Sequence, residues 1–156
     1  MRVLSLLSFF LCVTILGAHL VHLIFVWNQI PGTIYLMYSG ETPSQSGPKE
    51  LLFFVSALTV FLWLGILFLR TKKEKFNYIN LTEYNKQMQY KAMDIMLVSI
   101  QTLSFIGLIS INESFLRDTL NLSSELYTTI GLVLIILCAV PPIILAVWSR
   151  TALNKY

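Results

Sequence analysis

Four apolar runs occupy most of this 156-residue chain, at about 3–26, 51–69, 93–111 and 127–148. A helix rising about 1.5 Å per residue needs roughly 20 apolar residues to cross about 30 Å of hydrocarbon, and each run approaches or exceeds that length. The alternative membrane architecture, a barrel, needs short strands that alternate apolar with polar residues, and Leu132 to Leu137 (LVLIIL) does not alternate. The predicted fold is therefore all-α: a polytopic membrane protein forming one four-transmembrane-helix bundle over residues 1–156. Arg2 ahead of the first run resembles the start of a cleaved signal peptide. That run is too long, however, and no small-residue cleavage pattern follows it, so an uncleaved first span is expected.

Basic residues set the expected orientation. Arg2 precedes the first span, six Lys and Arg lie between Arg70 and Lys91, and Arg150 and Lys155 follow the fourth, whereas the other two connections carry only Lys49 and Arg117. Short basic loops stay cytoplasmic, which places both termini and the 70–92 loop inside and the 27–50 and 112–126 loops outside. The positive net charge then needs no nucleic acid, because the central loop can lie on anionic headgroups, with Trp27, Tyr127 and Trp148 as interfacial anchors. Cys12 and Cys138 fall inside apolar spans and form neither a metal spacing nor a disulfide framework.

The loops differ in kind. In 27–50, Pro31-Gly32, Ser39-Gly40, Pro43 and Gly47-Pro48 are turn formers around an apolar strip from Ile34 to Tyr38, which predicts an extended segment or a lid over the helix ends. In 70–92, Asn80-Leu81-Thr82-Glu83 reads as a helix cap, so the third helix should start near Leu81 and project Tyr84, Lys86, Gln87, Tyr90 and Lys91 from the membrane. That face can meet a cytoplasmic partner or simply snorkel among headgroups. In 112–126, Phe115, Leu116, Leu120 and Leu122 among charges predict a small interfacial helix, and two Asn-x-Ser sequons have meaning only in a eukaryotic secretory route.

Polar residues within spans are few. His19 and His22, three apart, share a helix face and can hydrogen-bond across helices, respond to pH or face a ligand. The spans assigned above supply them with no carboxylate, and two imidazoles alone do not make a metal site. Asp94 is expected to pair with Lys91 or to lie among headgroups. Gln101, Thr102, Ser104, Gly107 and Ser110 form a small, polar stripe suited to close helix packing, and Pro141-Pro142 should kink the fourth span. With no nucleophile and base, phosphate loop or carboxylate pair, no enzyme, metal or cofactor is expected.

The loop residues Trp27, Ile30-Pro31, Ile34, Tyr38, Ser39-Gly40-Glu41, Gly47 and Lys49, set between two spans, resemble the extracytoplasmic loop in the N-terminal half of bacterial SdpI-type immunity proteins. The resemblance covers about residues 1–111. Where the family often has a second Pro and a His before the Gly turn, this chain has Tyr35, Leu36 and Met37, and Gly47-Pro48-Lys49 replaces Gly-Ser-Lys, so no role of that His carries over. The resemblance implies a multi-pass protein of the bacterial cytoplasmic membrane that gives immunity to, or senses, a secreted membrane-active peptide, and that can hold a cytoplasmic regulator. On this reading Trp27, Pro31, Tyr35, Tyr38, Gly40, Lys49, His19 and His22 meet the ligand, and Tyr84, Lys86, Gln87 and Tyr90 meet the regulator. The alternative is an accessory subunit of a transporter or membrane-enzyme assembly.

Overall fold

The computed structural model describes residues 2–39 and 42–152. Among them, four segments are helical, long and apolar enough to cross a membrane: Val3–Gln29, Leu51–Thr71, Lys86–Thr119 and Glu125–Thr151. Helix α1 (Arg2–Val26) ends in a tight turn at Trp27–Gln29, strands β1 (Thr33–Ser39) and β2 (Thr42–Pro48) follow, and then come α2 (Leu51–Thr71), α3 (Lys86–Thr119), α4 (Glu125–Leu137) and α5 (Val140–Ala152). The two strands form an antiparallel hairpin, so the chain is helical with one small sheet rather than wholly α. The hairpin marks one end of the bundle and the basic 72–85 connection marks the other.

Helix α3 is the hub. It packs along α1, α2 and α4, while α1 and α4 barely meet. Lipid removes most of the hydrophobic drive for helices to associate, so close approach and hydrogen bonds must hold them together. Gly107 and Gly131 provide the approach between α3 and α4: a methyl group at Gly131 would lie 2.9 Å from the Gly107 carbonyl oxygen. Ser8 donates across to Thr102 at 2.5 Å, tying α1 to α3, and Thr102 donates to the Val98 carbonyl. Large side chains on the outer helix faces, such as Phe25, Phe61 and Ile136, are exposed, as a lipid-facing surface requires.

Both ends of α3 differ from expectation. At the basic end α3 starts at Lys86 rather than near Leu81, and the turn ahead of it is held by Thr82 with Asn85, not by Asn80 with Glu83: the Asn85 side chain accepts from the Thr82 backbone at 2.9 Å, and the Asn85 backbone donates to the Thr82 hydroxyl at 3.3 Å. Asn80 takes a left-handed conformation (φ 51°), which belongs to a turn rather than an N-cap. At the hairpin end, α3 runs on to Thr119, so the expected loop helix within 112–126 is the last turns of the span itself. Asn121 (φ 55°) stops it: the Leu122 N–H bonds the Arg117 carbonyl at 2.9 Å and the Asn121 N–H bonds the Asp118 carbonyl at 3.0 Å, a Schellman ending.

The fourth span breaks between Leu137 and Val140. Pro141 and Pro142 have no N–H for the carbonyls of Leu137 and Cys138, four residues earlier, and their rings crowd that turn. The predicted kink is thus present, one turn ahead of the prolines.

The hairpin is a lid with a packed underside. Ile34 is fully buried with Leu23, Val26, Ile30, Leu52 and Leu116, and Leu36 packs against the same cluster, while Tyr35 on the opposite face is exposed. A bulge at Leu36 shifts the register between the Tyr35–Ser46 and Met37–Gln45 pairs. A second core cluster, Cys12, Phe105 and Ile109, lies deeper along α1 and α3.

Candidate functional site

Because α3 continues past Ile111, it carries Asn112, Glu113 and Arg117 alongside the α1 histidines. Glu113 is the carboxylate that the hydropathy boundary had placed in a loop. His19 Nδ1 and His22 Nδ1 each lie 2.8 Å from one of its oxygens, Oε2 and Oε1 respectively, and Arg117 Nε donates to Oε1 at 2.9 Å. The carboxylate is 9% exposed, and three donors converging on its two oxygens match the acceptor-only capacity of an ionised group. Leaving such a charge buried with no partner costs roughly 3–5 kcal/mol, so the two α1 histidines that meet it also fasten α1 to α3.

Asn112 fixes the protons. Its Nδ2 lies 2.8 Å from the Leu52 carbonyl oxygen, 3.0 Å from Ser56 Oγ and 2.9 Å from His19 Nε2. A carbonyl only accepts, so the amide nitrogen must face it, and that same nitrogen then faces His19 Nε2. An amide nitrogen has no lone pair to accept with, so His19 Nε2 turns a lone pair toward it and His19 donates to Glu113 through Nδ1. His22 is under no such lock. Its side chain is 28% exposed against 2% for His19, and its Nε2 has no hydrogen-bond partner among the described residues.

These groups border a cleft of about 330 Å³ walled by Ile15, Ala18 and Ile109, with Ser110 and Tyr127 at its side. The Arg117 guanidinium lies 4.3 Å from the centroid of the Tyr127 ring, which holds its plane. With Nε committed to Glu113, the two Nη groups have no hydrogen-bond partner among the described residues. The cleft thus joins apolar walls to a small set of oriented polar groups, the composition of a ligand site.

A second charged cluster sits at the basic end. Arg70 Nε donates to Asp94 Oδ1 at 3.0 Å, and its Nη1 lies 3.2 Å from both Ser5 Oγ and Gln101 Oε1. Gln101 Nε2 in turn donates to the Trp63 carbonyl at 2.9 Å. Asp94 therefore pairs with Arg70, and at 4.0 Å with Lys73, rather than with the exposed Lys91. Arg70, expected as a plain stop-transfer flank, ties α2 to α1 and α3.

The other site residues expected from sequence fall into two groups. Trp27 and Lys49 meet at the hairpin base, where Lys49 Nζ donates to the Trp27 carbonyl at 3.3 Å and sits 4.4 Å from the centroid of its ring, so this pair closes the loop. Pro31 is exposed just before β1, and Tyr35 borders a separate cavity of about 430 Å³ with Phe115, Asp118 and Thr128. Gly40 lies outside the described residues, as does the Tyr38 side chain. At the basic end Tyr84 and Gln87 are exposed, Lys86 pairs with Glu83 at 3.4 Å, and Tyr90 packs at a tilt against Tyr78 with ring centroids 5.2 Å apart. Asn112, Glu113 and Arg117 were the residues missed. Their signal was the Glu113/Arg117 spacing of four beside an Asn, facing an i, i+3 His pair. No family model matches this chain, and no curated protein or solved structure shows significant similarity to it.

Proposed function

We propose that this chain is a multi-pass binding protein, not an enzyme, that receives a membrane-borne ligand in the cleft between α1 and α3. Both termini and the basic connection lie on the cytoplasmic side, and the hairpin end faces out of the cell. One observation carries the reading: buried His19, Glu113 and Asn112 hold Arg117 and His22 so that their remaining polar atoms face an apolar cleft. Ionisable groups in a span are expensive to retain, and a purely structural cluster has no need of unpaired donors at a cavity. The resemblance to SdpI-type immunity proteins suggests the setting, with protection against a secreted membrane-active peptide, or a signal of its presence, as output. Exposed Tyr84 and Gln87 are the surface for a cytoplasmic regulator.

Survival of cells challenged with membrane-active peptides tests the reading. Cells making the wild-type chain should survive, and Arg117→Gln or His22→Asn should remove protection while the protein accumulates in the membrane as before. Unchanged protection by both variants would sink it. Reporter fusions after Lys75 and Gly40 should read cytoplasmic and external respectively.

The accessory-subunit reading draws on the fourth span. Only 6% of its most apolar window is buried, against 39% for α3, so α4 and α5 offer a broad face to lipid or to another protein. A stable heteromeric complex lost on changing Val133 and Ile136 to bulky residues would favour that reading.

A further inference from the structure

The cleft is the head of a longer seam. On α1, Leu4, Leu7 and Leu11 recur at helical spacing and lead into Ile15, Ala18 and His22. On α3 the facing stripe runs from Ser99 through Leu103 and Ile106 to Ser110, Glu113 and Arg117. Leu4, Leu7, Leu11 and Leu103 border a separate cavity of about 370 Å³ on the same two helix faces, further toward the basic end. Ser99 also borders a further apolar cavity of about 350 Å³ against Pro141 and Leu145 of α5. From Arg117 to Leu103 the stripe covers about 21 Å at 1.5 Å per residue, more than the roughly 15 Å of hydrocarbon in one leaflet.

We propose that this seam holds a single-chain amphiphile with an anionic head, its carboxylate or phosphate clamped by Nη1 and Nη2 of Arg117 beside Nε2 of His22, and its alkyl tail lying along α1 and α3. The proposal rests on the cleft being a binding site and names the class of ligand it takes. Charge decides the head. Both Glu113 oxygens are occupied by donors, and no other carboxylate borders the cleft, so the free hydrogen-bonding capacity is the end-on fork of a guanidinium, which fits carboxylate and phosphate bidentately. Glu113 and Tyr127 hold that fork in place. His22 Nε2 donates to the same head when the ring is protonated; in the neutral ring it carries only a lone pair, and Arg117 then holds the head alone. The fold decides the route: α1 and α4 barely meet, so the cleft opens between them toward the lipid-facing surface that carries Val21 and Phe25.

The test uses the full-length protein in nanodiscs of zwitterionic lipid, irradiated with diazirine-bearing hexadecanoate, hexadecanol or hexadecyltrimethylammonium. Mass spectrometry should find the acid on peptides containing Leu11 and Leu103 about tenfold more often than either other probe, the discrimination of one charge-assisted contact. Arg117→Gln should bring the acid down to the level of the alcohol, and Arg117→Lys should keep part of the preference. Ser110→Phe, which fills the seam and leaves the head groups in place, should suppress labelling as well, with thermal unfolding confirming that each variant folds. Equal labelling by the three probes, or acid labelling that survives Arg117→Gln in a folded protein, would overturn the proposal. If labelling overturns it while survival under peptide challenge still requires Arg117, the binding reading stands and the ligand is of another class, such as a peptide carboxyl terminus.

Discussion

The chain buries charge at both ends of its bundle, and the two clusters solve the same problem differently. At the basic end Arg70 spends Nε on Asp94 and Nη1 on Ser5 and Gln101, and none of these residues borders a cavity described above. At the hairpin end Arg117 commits only Nε, to Glu113, and its remaining donors face a cleft together with His22. Both arrangements compensate charges that lipid would not tolerate alone. Only the second presents its spare donors to a cavity. Charge within a span therefore marks a site when its spare donors face a cavity, and marks a fastener when its partners all lie among packed helices.

Truncation separates the two most sharply. Asp94→Ala leaves Arg70 charged without its anion and should cost roughly 3–5 kcal/mol, read as thermal unfolding in detergent. Replacing both partners, Arg70→Leu with Asp94→Leu, should recover part of that loss, because the ion pair can be exchanged for apolar packing and the Gln101 Oε1 alone among buried groups loses its donor. The equivalent swap at the other end, Glu113→Leu with Arg117→Leu, should not recover: it orphans the Nδ1–H groups of both histidines, at about 1–3 kcal/mol each. Full recovery at both ends would remove the distinction.

A smaller effect sharpens it. Arg117→Gln removes one partner of a carboxylate that still has two imidazole donors, so stability should fall by only about 1 kcal/mol while protection is lost. A large loss of stability would make Arg117 another fastener.

The spans were legible because about 20 consecutive apolar residues have few other uses, and the lid was legible because turn formers bracketed an apolar strip. The site was only half legible. His19 and His22 stood out, but Asn112 and Glu113 lie just past Ile111, where apolar counting ends a span, and a helix does not stop where its hydropathy does. What ends α3 is Asn121 in the left-handed conformation, a backbone signal hidden in a residue first read as part of a sequon. The Arg70–Asp94 pair was illegible for a related reason. It joins α2 to α3 across 24 residues, and only packing brings those positions together.

The smallest expected effect lies at the basic end, beyond the spans. Burial of Tyr78, with Tyr90 and Glu74 nearby, pushes its phenol up from 10.0 to about 12, and the hydroxyl donates to the Lys73 carbonyl at 2.6 Å. A pKa raised on folding contributes stability that is fully present below about pH 10 and is lost as the pH rises through about 12. Phenolate absorbance, compared between wild type and Tyr78→Phe, should assign the late-titrating tyrosine to this position. A wild-type curve without that component would mean that the 72–85 connection is not docked as described.

The contrast between a locked and an open imidazole is tested most directly by nitrogen NMR of His19 and His22 in nanodiscs while hexadecanoate is added. His19 should stay in its neutral Nδ1–H form throughout, held by Asn112, while the Nε2 resonance of His22 moves with the acid and stops moving in Arg117→Gln. Two histidines that both stay still, or a His19 that shifts first, would contradict the account.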